Sequence, residues 1–338
     1  MKRILALILV CAMVALWGCS GSSQASHSAT YYDLFDTVTT ISAQMESKAD
    51  FDKAAQKIHD ELLAFHKLFD IYNSYDGIVN LKYVNENAGI APVKVSVEII
   101  DLLQDCKAAY ALTGGRVNVA MGAVLDLWHQ ARSQGIADPE HAKLPDQASL
   151  QEAAKHTDID SLIIDEESGT VYFSDPLLKL DVGAVAKGWA TQIVAQNAPA
   201  GMLLSVGGNV CSTGPKADGS SWNVAVQHPD DAGRYLHILS VSDGCVVTSG
   251  DYQRTYTVDG KFYHHIIDPD TLYPAAYWRA VTVICADSGM ADILSTALFL
   301  LSLEEGQALL DKQNAQAVWI DADGKQYYSD GFQAYIKK

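Results

Sequence analysis

Apolar residues recur at helical spacing over Phe51 to Leu68 and over Ser96 to Thr113, the second stretch closed by Gly114-Gly115, and each predicts an amphipathic helix lying on a core. Elsewhere the period shortens. Alternating or continuous apolar runs predict strands at Tyr32 to Met45, Ser161 to Ile164, Val171 to Phe173, Leu203 to Val206, Trp222 to Val226 and Ala280 to Ala286. Leu236 to Ser240 with Cys245 to Thr248 reads as a hairpin. Two further hairpins are marked by Asp-Gly turns, Tyr256 to Tyr263 around Asp259-Gly260, and Ala317 to Ile320 with Gln326 to Ser329 around Asp323-Gly324. Leu180 to Asn197 reads as a turn entering a helix, and Met290 to Ser302 as another helix. Strands outnumber crossover helices, and no repeat or low-complexity break interrupts the chain from Tyr31 onward. The expected fold class is therefore α+β, a single large domain over residues 31–338 with mixed sheets and flanking helices.

The N-terminus follows a different pattern. Met1-Lys2-Arg3 is a short basic region, Ile4 to Gly18 is apolar, and Cys19 follows. The apolar run is shorter than the ~20 residues of a spanning helix, so residues 1–18 read as a lipoprotein signal peptide cleaved before a lipidated Cys19. Residues 19–30, rich in Ser, Gly and Ala, read as a flexible tether. This predicts an extracytoplasmic protein held to a bacterial membrane through its lipid anchor only. The remaining cysteines, Cys106, Cys211, Cys245 and Cys285, lie far apart in apolar contexts that suit buried free thiols, with two disulfides as the alternative.

Charge narrows the possible ligands. With 41 acidic against 24 basic residues the net charge is −17, which argues against nucleic acid as a partner. An anionic ligand must then be met locally, by backbone N–H groups, a particular Lys or a metal ion. Asp181-Val182-Gly183-Ala184-Val185-Ala186-Lys187-Gly188, small residues before a helix, reads either as a phosphate cradle or as an ordinary capped turn. On the helix from Met290, Asp292, Ser295 and Thr296 share one face, where hard oxygens suit Mg²⁺ or where Asp292 merely complements the helix dipole and Thr296 bonds back to the backbone. His264-His265 offers an imidazole near neutrality. Neither a Walker sequence nor G-x-G-x-x-G after a strand is present.

Taken in order, Phe35-Asp36-Thr37, Tyr72-Asn73-Ser74-Tyr75, Asn118 to Trp128, Asp181 to Gly188, Val206-Gly207-Gly208-Asn209, Thr248-Ser249-Gly250-Asp251-Tyr252, His264-His265-Ile266-Ile267-Asp268-Pro269 and Ala291-Asp292 to Thr296-Ala297 closely resemble the FAD:protein FMN transferase family, ApbE. The resemblance implies a Mg²⁺-dependent enzyme that splits FAD, joins FMN by a phosphoester bond to a Thr or Ser of an acceptor protein, and releases AMP. It implies His265 as the catalytic residue, and Asp292, Thr296 and the carbonyl of Ala184 as Mg²⁺ ligands, with Ser295 beside them. FAD contacts are implied at Phe35, Tyr72, Asn118, Val119, Asp181, Lys187, Gly207, Gly208, Thr248, Ser249, His265 and Ile266. The implied partner is an extracytoplasmic acceptor, a redox-complex subunit or a flavin-bearing reductase. A Mg²⁺-dependent FAD pyrophosphatase and a non-catalytic flavin-binding lipoprotein are the alternatives. The chain departs from the pattern at Asn118, where Asp is common, at Asp270, where Arg is frequent, and at Leu272, which replaces a frequent Gly.

Overall fold

An eight-stranded sheet organises the molecule, and the computed structural model describes residues 24–337 of it. The strands run in the spatial order Ala25–Leu34, Thr37–Met45, Met202–Val206, Asn209–Ser212, Gly244–Gly250, Ala280–Cys285, Ala315–Ile320 and Gln326–Tyr328. Every neighbouring pair is antiparallel. So are the smaller sheets, which corrects the expected mixed pairing within an α+β fold that otherwise stands. Alternation along a sequence identifies a strand but does not say which way its neighbour runs.

Period-two alternation gives the sheet two apolar faces. Met202, Leu204 and Val206 meet the helices Lys48–Phe69 and Ala186–Asn197, and Val247, Val281 and Val283 meet the helix Ser288–Leu300. Their neighbours Leu203, Val210, Val246 and Ile284 turn to the other face, under the two-stranded ribbon Trp222–His228 and Asp231–Val241. The helix Lys48–Phe69 forms because Ser47 accepts from the Asp50 N–H at its start and Phe51, Ala55, Ile58, Leu62, Phe65 and Phe69 fall on its buried side. Ser288–Leu300 is capped by Asp287, which accepts from Met290 N, and is buried almost throughout.

Four expectations change. Strand pairing starts at Ala25 and takes in residues 25–30 of the expected tether, because an edge strand of small polar residues pairs through its backbone and needs no apolar run. The single strand expected over Tyr32 to Met45 is a hairpin that turns at Phe35-Asp36. The segments 236–240 and 245–248 do not form a hairpin: Asp231–Val241 stays with the ribbon, and Gly244–Gly250 enters the large sheet. Cys211 and Cys245 are disulfide-bonded, being opposite one another on adjacent strands with Cα atoms 4.1 Å apart, while Cys106 and Cys285 have no disulfide partner among the described residues. A separation of 34 residues hides a register that only the folded sheet reveals. Residues 1–18 and Cys19 lie outside the described residues.

Candidate active site

The cleft opens where element ends converge, and its first wall is a pair of tight turns. Phe35 and Asp36 (φ 52° and 53°) join the first hairpin, and Gly207 and Gly208 (φ 56° and 94°) join Met202–Val206 to Asn209–Ser212. The turns lie side by side because their strands pair, with Gly207 N donating to Val38 O at 3.1 Å. A Cβ on Gly207 would fall 2.6 Å from Thr37 Cγ2, so glycine is required for the approach as well as the dihedral. Phe35 N donates to His66 Nδ1 at 3.1 Å, His66 Nε2 faces the Tyr75 hydroxyl at 3.2 Å, and that hydroxyl donates to Asp70 at 2.7 Å. Asp70 also accepts from Tyr72 N and Asn73 N, ordering the aromatic loop.

A second wall joins two loops distant in sequence. Asp181 N donates to Val119 O at 2.8 Å and Gly122 N to Lys179 O at 2.9 Å. Gly122 opens the helix Gly122–Ala137, an element the sequence pattern did not resolve. Asn118 spends its side chain on backbone, accepting from Ala120 N of its own loop and donating to Thr157 O of a distant segment. Arg116 pairs with Asp268 at 3.5 Å and with Asp270 at 2.5 Å, tying its loop to the Asp-Pro turn. Leu272 stands at φ 63°, a conformation suited to the glycine it replaces.

At the floor, the helix Ala186–Asn197 begins without a side-chain cap of its own. Asp292, on the neighbouring helix, fills part of that role: its Oδ2 accepts from Gly188 N at 2.8 Å and lies 3.7 Å from Lys187 Nζ, which also donates to Gly183 O at 3.2 Å. The helices can come this close only because Gly188 has no side chain, since a Cβ there would lie 2.5 Å from Ser288 O and press on Asp292. Asp292 is 4% exposed, and Thr296, one turn on, reaches the same cleft. Ser295 does not: it is fully buried, pairing with Ser249 Oγ at 2.8 Å and donating to Asp292 O, so it braces Ser249 behind the wall. Asn209, 2% exposed, lines the cleft with a buried Nδ2 that finds no partner.

The adjacent imidazoles have separate duties. His264 uses both nitrogens internally, facing Ala275 O at 2.9 Å and accepting from Ile266 N at 3.2 Å. His265 Nδ1 faces only a carbonyl, Gln253 O at 3.2 Å, so it carries the proton and leaves Nε2 with a free lone pair. Burial first, then the cations Arg254 and Lys187 with the neighbouring His264 ring, pushes the His265 pKa down to about 3 and keeps the ring neutral.

Of the sequence-derived residues, Phe35, Tyr72, Asn118, Val119, Asp181, Ala184, Lys187, Gly207, Thr248, Ser249, His265, Ile266, Asp292 and Thr296 meet around this cleft. Gly208 and Ser295 stand outside its wall. Sequence reasoning missed His66, Arg116, His129 and Arg254 and named Asp36 and Asn209 only within motifs, not as site residues; all six line it. His129 had a usable signal, since Met121, Leu125 and His129 recur at intervals of four, which places them along one helical stripe. Arg254 had none, because it reaches the cleft through a loop in the left-handed region (φ 48°).

The profile of the ApbE family matches residues 35–319. The chain is 32% identical over 276 residues to the FAD:protein FMN transferase of Klebsiella pneumoniae, covering 78% of this chain and 83% of that protein. It is 30% identical over 322 residues to the FAD:protein FMN transferase of Treponema pallidum, covering 90% and 86%. The crystal structure of the ApbE protein from Thermotoga maritima superposes with a TM-score of 0.82 at 26% identity, covering 93% of this chain and all of that one. Profile, relatives and fold agree with the cleft: the chain belongs to the ApbE family.

Proposed function

We propose that this chain is a FAD:protein FMN transferase working at the cleft described above. One observation carries the reading: Asp181, Lys187, His265, Asp292 and Thr296, spread over more than a hundred residues, line one cleft. In the reaction, a Thr or Ser hydroxyl of an acceptor protein attacks the flavin-side phosphorus of FAD. A new P–O bond forms, the bond to the bridging oxygen breaks, and AMP departs. The hydroxyl proton passes to His265 Nε2, which is free to take it because the ring is neutral.

Lys187 and the positive end of the helix Ala186–Asn197, where Asp292 already takes the Gly188 N–H, attract the diphosphate in an otherwise acidic protein. Asn209 Nδ2 supplies a buried donor, unpaired among the described residues, that a ligand in the cleft would satisfy. The residues also fit Mg²⁺. Asp292 commits Oδ2 to Gly188 and leaves Oδ1 for a cation, with the Thr296 hydroxyl and the Ala184 carbonyl in the same cleft. Among the described residues no three His, Cys, Asp or Glu side chains gather as a metal cluster, which matches a cation that takes few protein oxygens and shares the rest with phosphate and water. When bound, Mg²⁺ would neutralise the diphosphate and make it electrophilic. Ser295 is left out of this ligand set because its hydroxyl is occupied with Ser249.

The leader and Cys19 support a protein anchored by lipid outside the cytoplasm, where its acceptor would be a redox-complex subunit or a flavin-bearing reductase. Water in place of the acceptor hydroxyl would give FMN and AMP, the pyrophosphatase outcome. Incubating the protein with FAD, Mg²⁺ and a candidate acceptor decides between them. Transfer adds the mass of one FMN to the acceptor and releases AMP. Free FMN with an unmodified acceptor supports hydrolysis, and intact FAD refutes catalysis.

A further inference from the structure

Tyr72 and His129 meet at the cleft wall, the Tyr72 hydroxyl 2.5 Å from His129 Nδ1 and the two rings 5.9 Å apart. His129 Nε2 in turn lies 3.8 Å from Asp181 Oδ2, and all three residues line the cleft. Proton directions follow from the inventory of donors. A neutral imidazole carries one proton, and an ionised carboxylate can only accept. A lone pair on Nε2 would oppose the Asp181 charge, so the proton sits on Nε2 and Nδ1 is the acceptor. Nδ1 then takes the single proton of the Tyr72 hydroxyl. The phenol oxygen, with its proton committed, has only lone pairs left for the cleft.

We propose that His129 is a positioning residue that makes Tyr72 a hydrogen-bond acceptor toward the bound dinucleotide, so that the cleft selects a ring edge carrying an N–H. The inference rests on the flavin reading of the cleft and adds a selection rule to it. The isoalloxazine imide and the adenine amino group both meet the rule, and their shared chemistry is an N–H donor on a flat ring. The surroundings keep the relay in this state. Asp181 and Asp126 favour protonation of His129, but burial, Arg132 and Arg254 outweigh them and its pKa is lowered. Tyr72, about half of whose surface stays exposed, remains a phenol because desolvation at the cleft wall and the Asp181 charge raise its pKa.

The test measures binding by quenching of flavin fluorescence, using FAD, FAD methylated at the isoalloxazine N3, and FAD with a dimethylated adenine amino group. Wild-type protein is expected to bind one of the two methylated forms about tenfold more weakly than FAD, as the loss of one well-made hydrogen bond predicts. The form that suffers identifies the ring at Tyr72. In His129→Leu the affinity for FAD should fall about threefold to tenfold and the penalty for that methylated form should shrink to about twofold. In turnover the loss should appear in KM rather than in kcat. His129→Asn, which keeps an acceptor near the Nδ1 position, should restore both the affinity and the penalty. Equal binding of all three dinucleotides by wild type overturns the proposal, as does a penalty that persists undiminished in His129→Leu. Absence of FAD binding by wild type refutes the flavin reading itself, a separate result that removes this inference with it.

Discussion

The two faces of the large sheet are built from the same strands and do different work. Under the ribbon, Val224, Val226, Leu239 and Val241 pack on Val246, Ile284, Val318 and Phe332, an apolar layer whose contribution is cohesion. On the helix side the packing gives way at one end to polar groups: Asp292, Ser288 and Ser295 are buried on a single helix. Ser288 Oγ and Asn209 Nδ2 lack partners, and Phe35, Asp36 and Arg254 hold left-handed dihedrals around the cleft. Unpaired donors and strained backbone cost stability and persist where something else compensates. The contrast teaches where to look for chemistry in this fold: at the strand and helix ends where cohesion has been given up.

Substitutions should separate the faces. The largest effect on turnover belongs to His265→Ala, expected to slow FMN transfer by about 10²–10⁴-fold. FAD affinity and thermal midpoint should change little, which fluorescence titration and a melting curve can check. Gly188→Ala should act on both properties at once. Its methyl pushes on Asp292 and Ser288, so overpacking should destabilise the protein by about 1–3 kcal/mol while weakening the response of turnover to added Mg²⁺.

The ribbon face should show the converse. Phe332, fully buried, should cost about 3–5 kcal/mol when changed to Ala, with kcat/KM of the folded fraction unaltered. A drop in kcat/KM there would mean the faces are coupled. Asn209→Ala should weaken FAD binding by about tenfold, the value of one buried hydrogen bond to an anionic or carbonyl acceptor. The smallest effect concerns pH. The His265 pKa is lowered in the free protein, so its base form is already complete well above about pH 3. The profile of kcat/KM, which reports the free enzyme, should therefore show no acid limb from this residue between about pH 5 and 8.

Much of this organisation was legible in the sequence, and the exceptions share a physical cause. The helices at 51–68, 96–113 and 290–302 and the Asp-Gly hairpins were readable because periodicity and turn chemistry are local. The site motifs were individually ambiguous: Asp292 serves a helix start, but that of the neighbouring helix rather than its own, at Gly188, and that places it beside Lys187. Ser295 and Gly208 fall outside the cleft lining, because a helical face or a turn says nothing of which atoms reach a cavity. The Cys211–Cys245 pair, the relay through His129 and the Arg116 to Asp270 ion pair join residues 34, 57 and 154 positions apart. Nothing in a local pattern encodes such distances.

The most direct measurement is a crystal structure of the protein soaked with FAD and Mg²⁺. The account predicts the cation on Asp292 and Thr296, with the diphosphate over the start of the helix Ala186–Asn197 and the flavin-side phosphorus open to a hydroxyl held by His265. A dinucleotide whose diphosphate lies elsewhere, or a cation bound away from Asp292, would contradict it.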